Sequence, residues 1–255
     1  MAKPDSTQAT ETLHEIESVF DRAAHWAAQN PVPMLAGTAA ILLLAAALGG
    51  YRTWRTQQEA NASGEVAAIA SDFLGAMGAK PGQLDIPEPA NAEAAAATRR
   101  EYATRLNEAA DRLAGTRAAV TARLQAGQLH AELGEQDAAL AAWRAAADAA
   151  PRGTALEALA RVRLGAGLES AGDAAGAAEA YLAAGRVSDF PGRILALGDA
   201  ARSFADAGQS ERALEVFGGL SKEEVGKLPV YVAARLTELG LRSRAAGATA
   251  APSSP

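Results

Sequence analysis

Polar and apolar positions change rhythm several times along this chain. From Pro31 to Tyr51, "PVPMLAGTAAILLLAAALGGY", 21 residues pass without a charge. At 1.5 Å per residue this is about 30 Å of helix, the thickness of a bilayer core. Pro31 and Pro33 suit the start of a helix better than its middle. Trp26 on one flank, and Tyr51 and Trp54 on the other, stand where interfacial aromatics stand. The pattern predicts one membrane-spanning helix. About 30 residues with several acids precede it, unlike the short basic lead of a cleaved signal, so a retained anchor is expected. In that head, Leu13, Ile16, Val19, Phe20 and Ala23 share one helical face and predict an amphipathic helix. Beyond Arg52 a polar helix continues to about residue 79. "KPGQLDIPEP" breaks it at Pro81, Gly82, Pro87 and Pro89. A further helix, about 92–114, aligns Tyr102, Leu106, Ala109, Ala110 and Leu113.

From there the pattern repeats. Gly134, Gly172 and Gly208 are 38 and 36 residues apart. Five residues after each comes Ala139, Ala177 or Ala213, and four further on Trp143, Tyr181 or Phe217. Gly127, Gly165 and Ala201 stand seven residues before the turn, and His130, Leu168 and Phe204 four before it. Pro151 and Pro191 close the first two units. The arrangement resembles the tetratricopeptide repeat (TPR), a helix–turn–helix unit of about 34 residues. The resemblance covers about residues 116–220. It implies that small residues let two backbones approach while one aromatic per unit fills the gap between neighbouring pairs. The turn glycines suit the left-handed conformation that ends a first helix. The expected fold is all-α, a single transmembrane helix followed by a TPR-like helix-turn-helix solenoid. Its parts are a cytoplasmic head (1–30), the anchor (31–51), a leading helix pair with a Pro-rich loop (52–115), the repeats (116–227), a capping helix (228–246) and a disordered tail (247–255). In the cap, Val232, Leu236 and Leu239 are placed on the inner side.

Composition narrows function. Of 255 residues, 49% are hydrophobic but only 5% aromatic, because Ala, the best helix former, dominates. The balance of 24 basic against 30 acidic residues, a formal charge of −6, argues against nucleic acid. Zero cysteines exclude disulfides, Cys-ligated metals and a Cys nucleophile. No nucleophile elbow, HExxH or His/Asp/Glu ligand set occurs, so no catalytic residue, metal or cofactor is expected, and the protein reads as a non-enzyme. His14 and His25 read as surface residues, His130 as a packed core residue, and Glu223–Glu224 as a solvated loop. Gly165 and Gly167 form a GxG inside a helix with no preceding strand, which does not make a phosphate loop.

A short acidic head, one anchor, the exit "YRTWRTQQ" (Tyr51–Gln58), a Pro-containing loop and a repeat stack together resemble the YfgM family, the ancillary subunit of the SecYEG translocon. The resemblance implies a single-pass protein of the bacterial inner membrane, with its N-terminus cytoplasmic and its repeats periplasmic. It also implies partners: the translocon, a membrane-anchored periplasmic chaperone, and exported chains. Charge leaves the orientation open, since Lys3 and Arg22 on one flank nearly balance Arg52 and Arg55 on the other. The longer head and loop and the higher Ala and Arg content leave a generic TPR scaffold for another envelope assembly as the alternative. In a TPR stack the first helices line the concave side. Counting back from the turn glycines gives a protein-binding groove of Thr121, Leu124, Gln128 and Glu132, then Leu159, Val162, Ala166, Glu169 and Ser170, then Leu195, Arg202 and Asp206. It lacks a carboxylate-clamp cluster and suits broad, weak contact with extended chains.

Overall fold

The computed structural model describes residues 29–80 and 91–249; for residues 34, 38, 239 and 241–249 the description is of the backbone alone. The predicted head helix with His14 and His25, the Pro81–Pro89 break and residues 250–255 lie outside the described residues. The chain divides into two units, Met1–Gln57 and Gln58–Pro255.

Every described element is a helix: α1 (Pro31–Ala76), α2 (Ala92–Arg112), α3 (Arg117–Glu132), α4 (Gln136–Ala149), α5 (Ala155–Ser170), α6 (Ala174–Gly185), α7 (Arg193–Asp206), α8 (Ser210–Gly218), α9 (Lys222–Gly226) and α10 (Val230–Thr249). In the first unit, the aliphatic side chains from Val32 through Leu35, Ile41, Leu42, Leu43 and Leu44 to Leu48 are 62–75% exposed. Leaving one such side chain uncovered forgoes about 1.5–3 kcal/mol of burial. This stretch is a helix long and apolar enough to cross a membrane. At its polar end the Tyr51 and Trp54 rings lie 6.1 Å apart, and Thr53 donates to the Gly49 carbonyl at 3.0 Å.

In the second unit, α1 after Gln58 packs on α2. Ala62, Val66 and Ile69 are buried with Tyr102, Ala103, Leu106, Ala109 and Ala110. Asp72–Arg105 (3.2 Å) and Glu65–Arg112 (2.7 Å) bridge the rim of that seam. From α2 to α8 each helix packs on its chain neighbours, and α10 packs back on α7 and α8. Local chemistry sets the period. Thr116 and Thr154 open α3 and α5 as N-caps, accepting from the amides of Ala119 and Glu157 and donating back to the carbonyls of Leu113 and Pro151. The third start, at Gly192, has no side-chain cap. Gly134, Gly172 and Gly208 have φ of 73°, 82° and 77°, which side-chain-bearing residues rarely adopt. All three turns close alike: the amide after the glycine reaches the carbonyl of His130, Leu168 or Phe204 at 2.8–2.9 Å.

The core is built from small residues and rings. A Cβ on Gly127 would stand 2.5 Å from Trp143 Cδ1, and one on Gly167 would stand 2.6 Å from Trp143 Cζ3. The indole therefore lies between a glycine of its own pair and a glycine of the next. Gly165 stands in the same way against Tyr181, 2.9 Å from Cδ1. Leu228, Val232 and Leu236 of the C-terminal segment bury against α7 and α8 beside Ala201 and Phe217. A Cβ on Gly198 would meet Leu228 at 2.5 Å.

Two boundaries differ from the sequence reading. Residues 222–226 form the short helix α9, not a plain loop, because Ser221 and Glu224 make a capping box. The C-terminal helix runs to Thr249, past the expected end at residue 246.

Candidate protein-binding face

The first helices of the three pairs, α3, α5 and α7, carry the residues counted back from the turn glycines. One 3.6-residue stripe of each runs along this side, its members ranging from exposed to half-buried. Thirteen, nine, six and two residues before the glycine stand Thr121, Gln125, Gln128 and Glu132 on α3; Leu159, Arg163, Ala166 and Ser170 on α5; and Leu195, Asp199, Arg202 and Asp206 on α7. Leu159 and Leu195 hold equivalent places and are 40% and 44% exposed. Arg163, Ala166 and Ser170 are exposed beside Leu159 along α5. Two of the residues singled out in sequence turn inward. Leu124 and Val162 are half-buried and pack against the central cluster, and the Leu124 carbonyl accepts from Trp143 Nε1 at 3.3 Å.

The charged residues are engaged with one another. Glu169 accepts from the Tyr181 hydroxyl at 3.0 Å and from the Ser203 hydroxyl at 3.0 Å, and it pairs with Arg202 at 2.6 Å. Arg202 also reaches Asp199 (3.5 Å) and Asp206 (3.4 Å), and Asp206 reaches Arg235 on α10 (3.4 Å). Three predicted face residues, Glu169, Arg202 and Asp206, thus belong to one network that links α5, α6, α7 and α10. Its electrostatics follow from partial burial. Burial, then the charge of Glu169, pushes the Tyr181 phenol above its ordinary range. Burial pushes the Asp199 carboxyl up against the pull of Arg202. Burial draws the Arg202 guanidinium down, but its carboxylate partners, Glu169 first, outweigh that and hold it above the ordinary value. The Nε of Arg202 is buried without a partner, as is Oε1 of Gln125.

At the other end of the face, Gln128 donates to Glu132 at 3.1 Å, and Glu132 pairs with Arg99 of α2 at 3.1 Å. His130 sits half-buried with Nδ1 2.8 Å from Glu135, whose other oxygen takes Arg100 at 2.7 Å. Arg100, then His130, hold the Glu135 carboxyl below its usual range.

The sequence reading passed over Gln125, Arg163 and Asp199. The signal was present: stepping four residues on from Leu159 gives Arg163, and the same step gives the other two. What the face offers a partner is therefore two uncovered aliphatic side chains, Leu159 and Leu195, with the exposed Arg163, amides and hydroxyls around them, while Glu132, Glu169, Arg202 and Asp206 are engaged in ion pairs. Among the described residues, no group of three His, Asp or Glu side chains is placed to hold a metal ion. The chain matches no protein-family model, and no curated protein is significantly similar to it.

Proposed function

We propose that this chain is a membrane-anchored TPR adaptor of the bacterial inner membrane, without enzymatic activity. In this reading its repeats stand in the periplasm and contact exported chains and a periplasmic chaperone beside a SecYEG-type translocon. The observation that carries the reading is the ring-and-glycine register. Three helix pairs share one turn geometry, and Trp143 is seated across a pair boundary between Gly127 and Gly167. That is how a helical-repeat stack is held, and such stacks present the outward stripe of their first helices to protein partners. The apolar Pro31–Leu48 stretch supports anchoring in a membrane. The exposed Leu159 and Leu195 support weak, broad contact with extended chains, because apolar area accepts many sequences and neutralised charge selects few.

Two measurements test this. A periplasm-active reporter fused after Gly240 is expected to be active; activity confined to a cytoplasmic reporter, or a mature N-terminus near Tyr51, refutes the topology. Purification of the full chain in mild detergent is expected to bring translocon subunits with it. Recovery of a different envelope assembly instead establishes the generic scaffold.

A further inference from the structure

Unpaired arginines gather at one of the two edges of the helix stack. Turns within pairs (133–135, 171–173, 207–209) lie at one edge, where Gln136 donates to the Gly167 carbonyl at 2.8 Å and Ser203 donates to Glu169 at 3.0 Å. Turns between pairs (113–116, 150–154, 186–192) lie at the other, where Ala158, Ala184, Val187 and Ala196 form one cluster. At the first edge, Asp137, Asp173 and Glu211 stand at the starts of the second helices, where the helix dipole favours an anion. The second edge carries three exposed arginines, Arg117, Arg152 and Arg186, against two exposed acids, Asp148 and Asp189.

Among the described residues of 58–240, most arginines are paired with carboxylates, while Arg117, Arg144, Arg152, Arg163 and Arg186 are in no ion pair. Three of these five stand at the between-pair edge. Arg117 is the first residue of α3, where the dipole disfavours a cation, and its amide is already held by Glu59 at 2.5 Å. Helix electrostatics do not account for a cation there. The same bond places the beginning of this unit at the arginine edge. Tyr51 is eight residues upstream of Glu59, at most about 28 Å of chain even fully extended. A bilayer holding the apolar helix is within reach of this edge.

We propose that the between-pair edge rests on an anionic lipid headgroup layer, with Arg117, Arg152 and Arg186 engaging lipid phosphates. This deepens the anchoring proposed above and rests on it. A guanidinium beside such a surface is worth about fivefold in partition, so the three together give on the order of a hundredfold. The acidic edge is repelled, which gives the stack one preferred orientation.

The absence of cysteine makes single labels clean. The full chain would carry a fluorophore at Ser188→Cys (between-pair edge), Ser210→Cys (within-pair edge) or Tyr51→Cys. Each variant is reconstituted into nanodiscs doped with a headgroup-nitroxide lipid. The discs are either phosphatidylcholine alone or equal parts phosphatidylcholine and phosphatidylglycerol. Quenching at residue 188 is expected in the anionic discs, and it should fall at least severalfold in zwitterionic discs, in high salt and in the triple Arg117→Gln/Arg152→Gln/Arg186→Gln variant. Residue 210 should stay unquenched throughout. A quenched residue 51 beside an unquenched 188, or quenching at 188 that ignores lipid charge and the triple variant, overturns the proposal and leaves the anchor standing. An unquenched residue 51 overturns both.

Discussion

Replacing Gly127 and Gly167 by alanine, singly and together, is the most direct probe of how these helices hold one another. Two effects compete. Alanine in a helix interior gains up to about 1 kcal/mol over glycine. Against this, the new methyl at Gly127 would stand 2.5 Å from Trp143 Cδ1 and 2.9 Å from Cε2. The one at Gly167 would stand 2.6 Å from Cζ3 and 2.9 Å from Leu140 Cδ2. Overpacking of this kind costs about 1–3 kcal/mol. The indole is 6% exposed and lies between the two glycines, so moving from one methyl carries it toward the other backbone. Overpacking therefore wins, and each single change should destabilise by about 1–2 kcal/mol net. The double change should cost more than the two added, by about 0.5 kcal/mol or more, because each removes the other's route of relief. Gly64 is the control: a Cβ there meets nothing within 4 Å, and Gly64→Ala should stabilise by about 0.5–1 kcal/mol. The assay is denaturant unfolding of the full chain in micelles, followed by far-ultraviolet circular dichroism. Single variants as stable as Gly64→Ala, or a strictly additive pair, would refute the idea that the ring is clamped.

Other outcomes follow from the site. Tyr181→Ala should cost about 3–5 kcal/mol, since the ring is 4% exposed and fills a seat against Gly165; an unchanged melting temperature would show that the ring carries no packing. Because the folded phenol titrates above its ordinary value, its stabilising contribution is complete below about pH 10 and is lost as pH rises from there through the folded value. Tyr181→Phe should lower stability by about 0.5–1.5 kcal/mol at neutral pH and flatten the loss above about pH 10, read from unfolding midpoints. Glu169→Ala leaves the Tyr181 and Ser203 hydroxyls and one face of Arg202 unpartnered and should cost about 1–3 kcal/mol; a loss within error would mean that water replaces the carboxylate freely. Leu159→Asp with Leu195→Asp should leave stability within about 0.5 kcal/mol, both being exposed, yet abolish photo-crosslinking to exported chains; persistent crosslinks would place the contact elsewhere.

The turns could be read from the sequence because each needs a backbone that glycine alone adopts readily, and Gly134, Gly172 and Gly208 all take it. The ring-to-glycine spacing could be read for the same kind of reason, since a seat without a Cβ is a local requirement that repeats. The Glu169 network could not. Its members lie 33 and 34 residues apart, and a short charged residue looks the same in sequence whether it faces water or a neighbouring helix. Leu124 and Val162 share a helix side with the exposed stripe, and only the packing of the next pair decides that they turn inward. The helix α9, at five residues, is too short to show a period, and its signal is the Ser221–Glu224 box alone.

The two seams of the stack are made of different materials. Where the first pair meets the second, an indole sits between glycines and little there titrates. Where the second meets the third, Tyr181, Glu169, Ser203 and Arg202 form a seam of hydrogen bonds and charge. Little in the dry joint titrates, while the wet one loosens when its phenol ionises, because burial and the charge of Glu169 hold that phenol above its ordinary range in the folded chain. Neighbouring units in such a chain stand or fall by their shared interfaces. Alkali should therefore part this protein at the wet joint first, releasing the C-terminal pair and the helix α10 packed on it as one piece while the tryptophan joint stays shut.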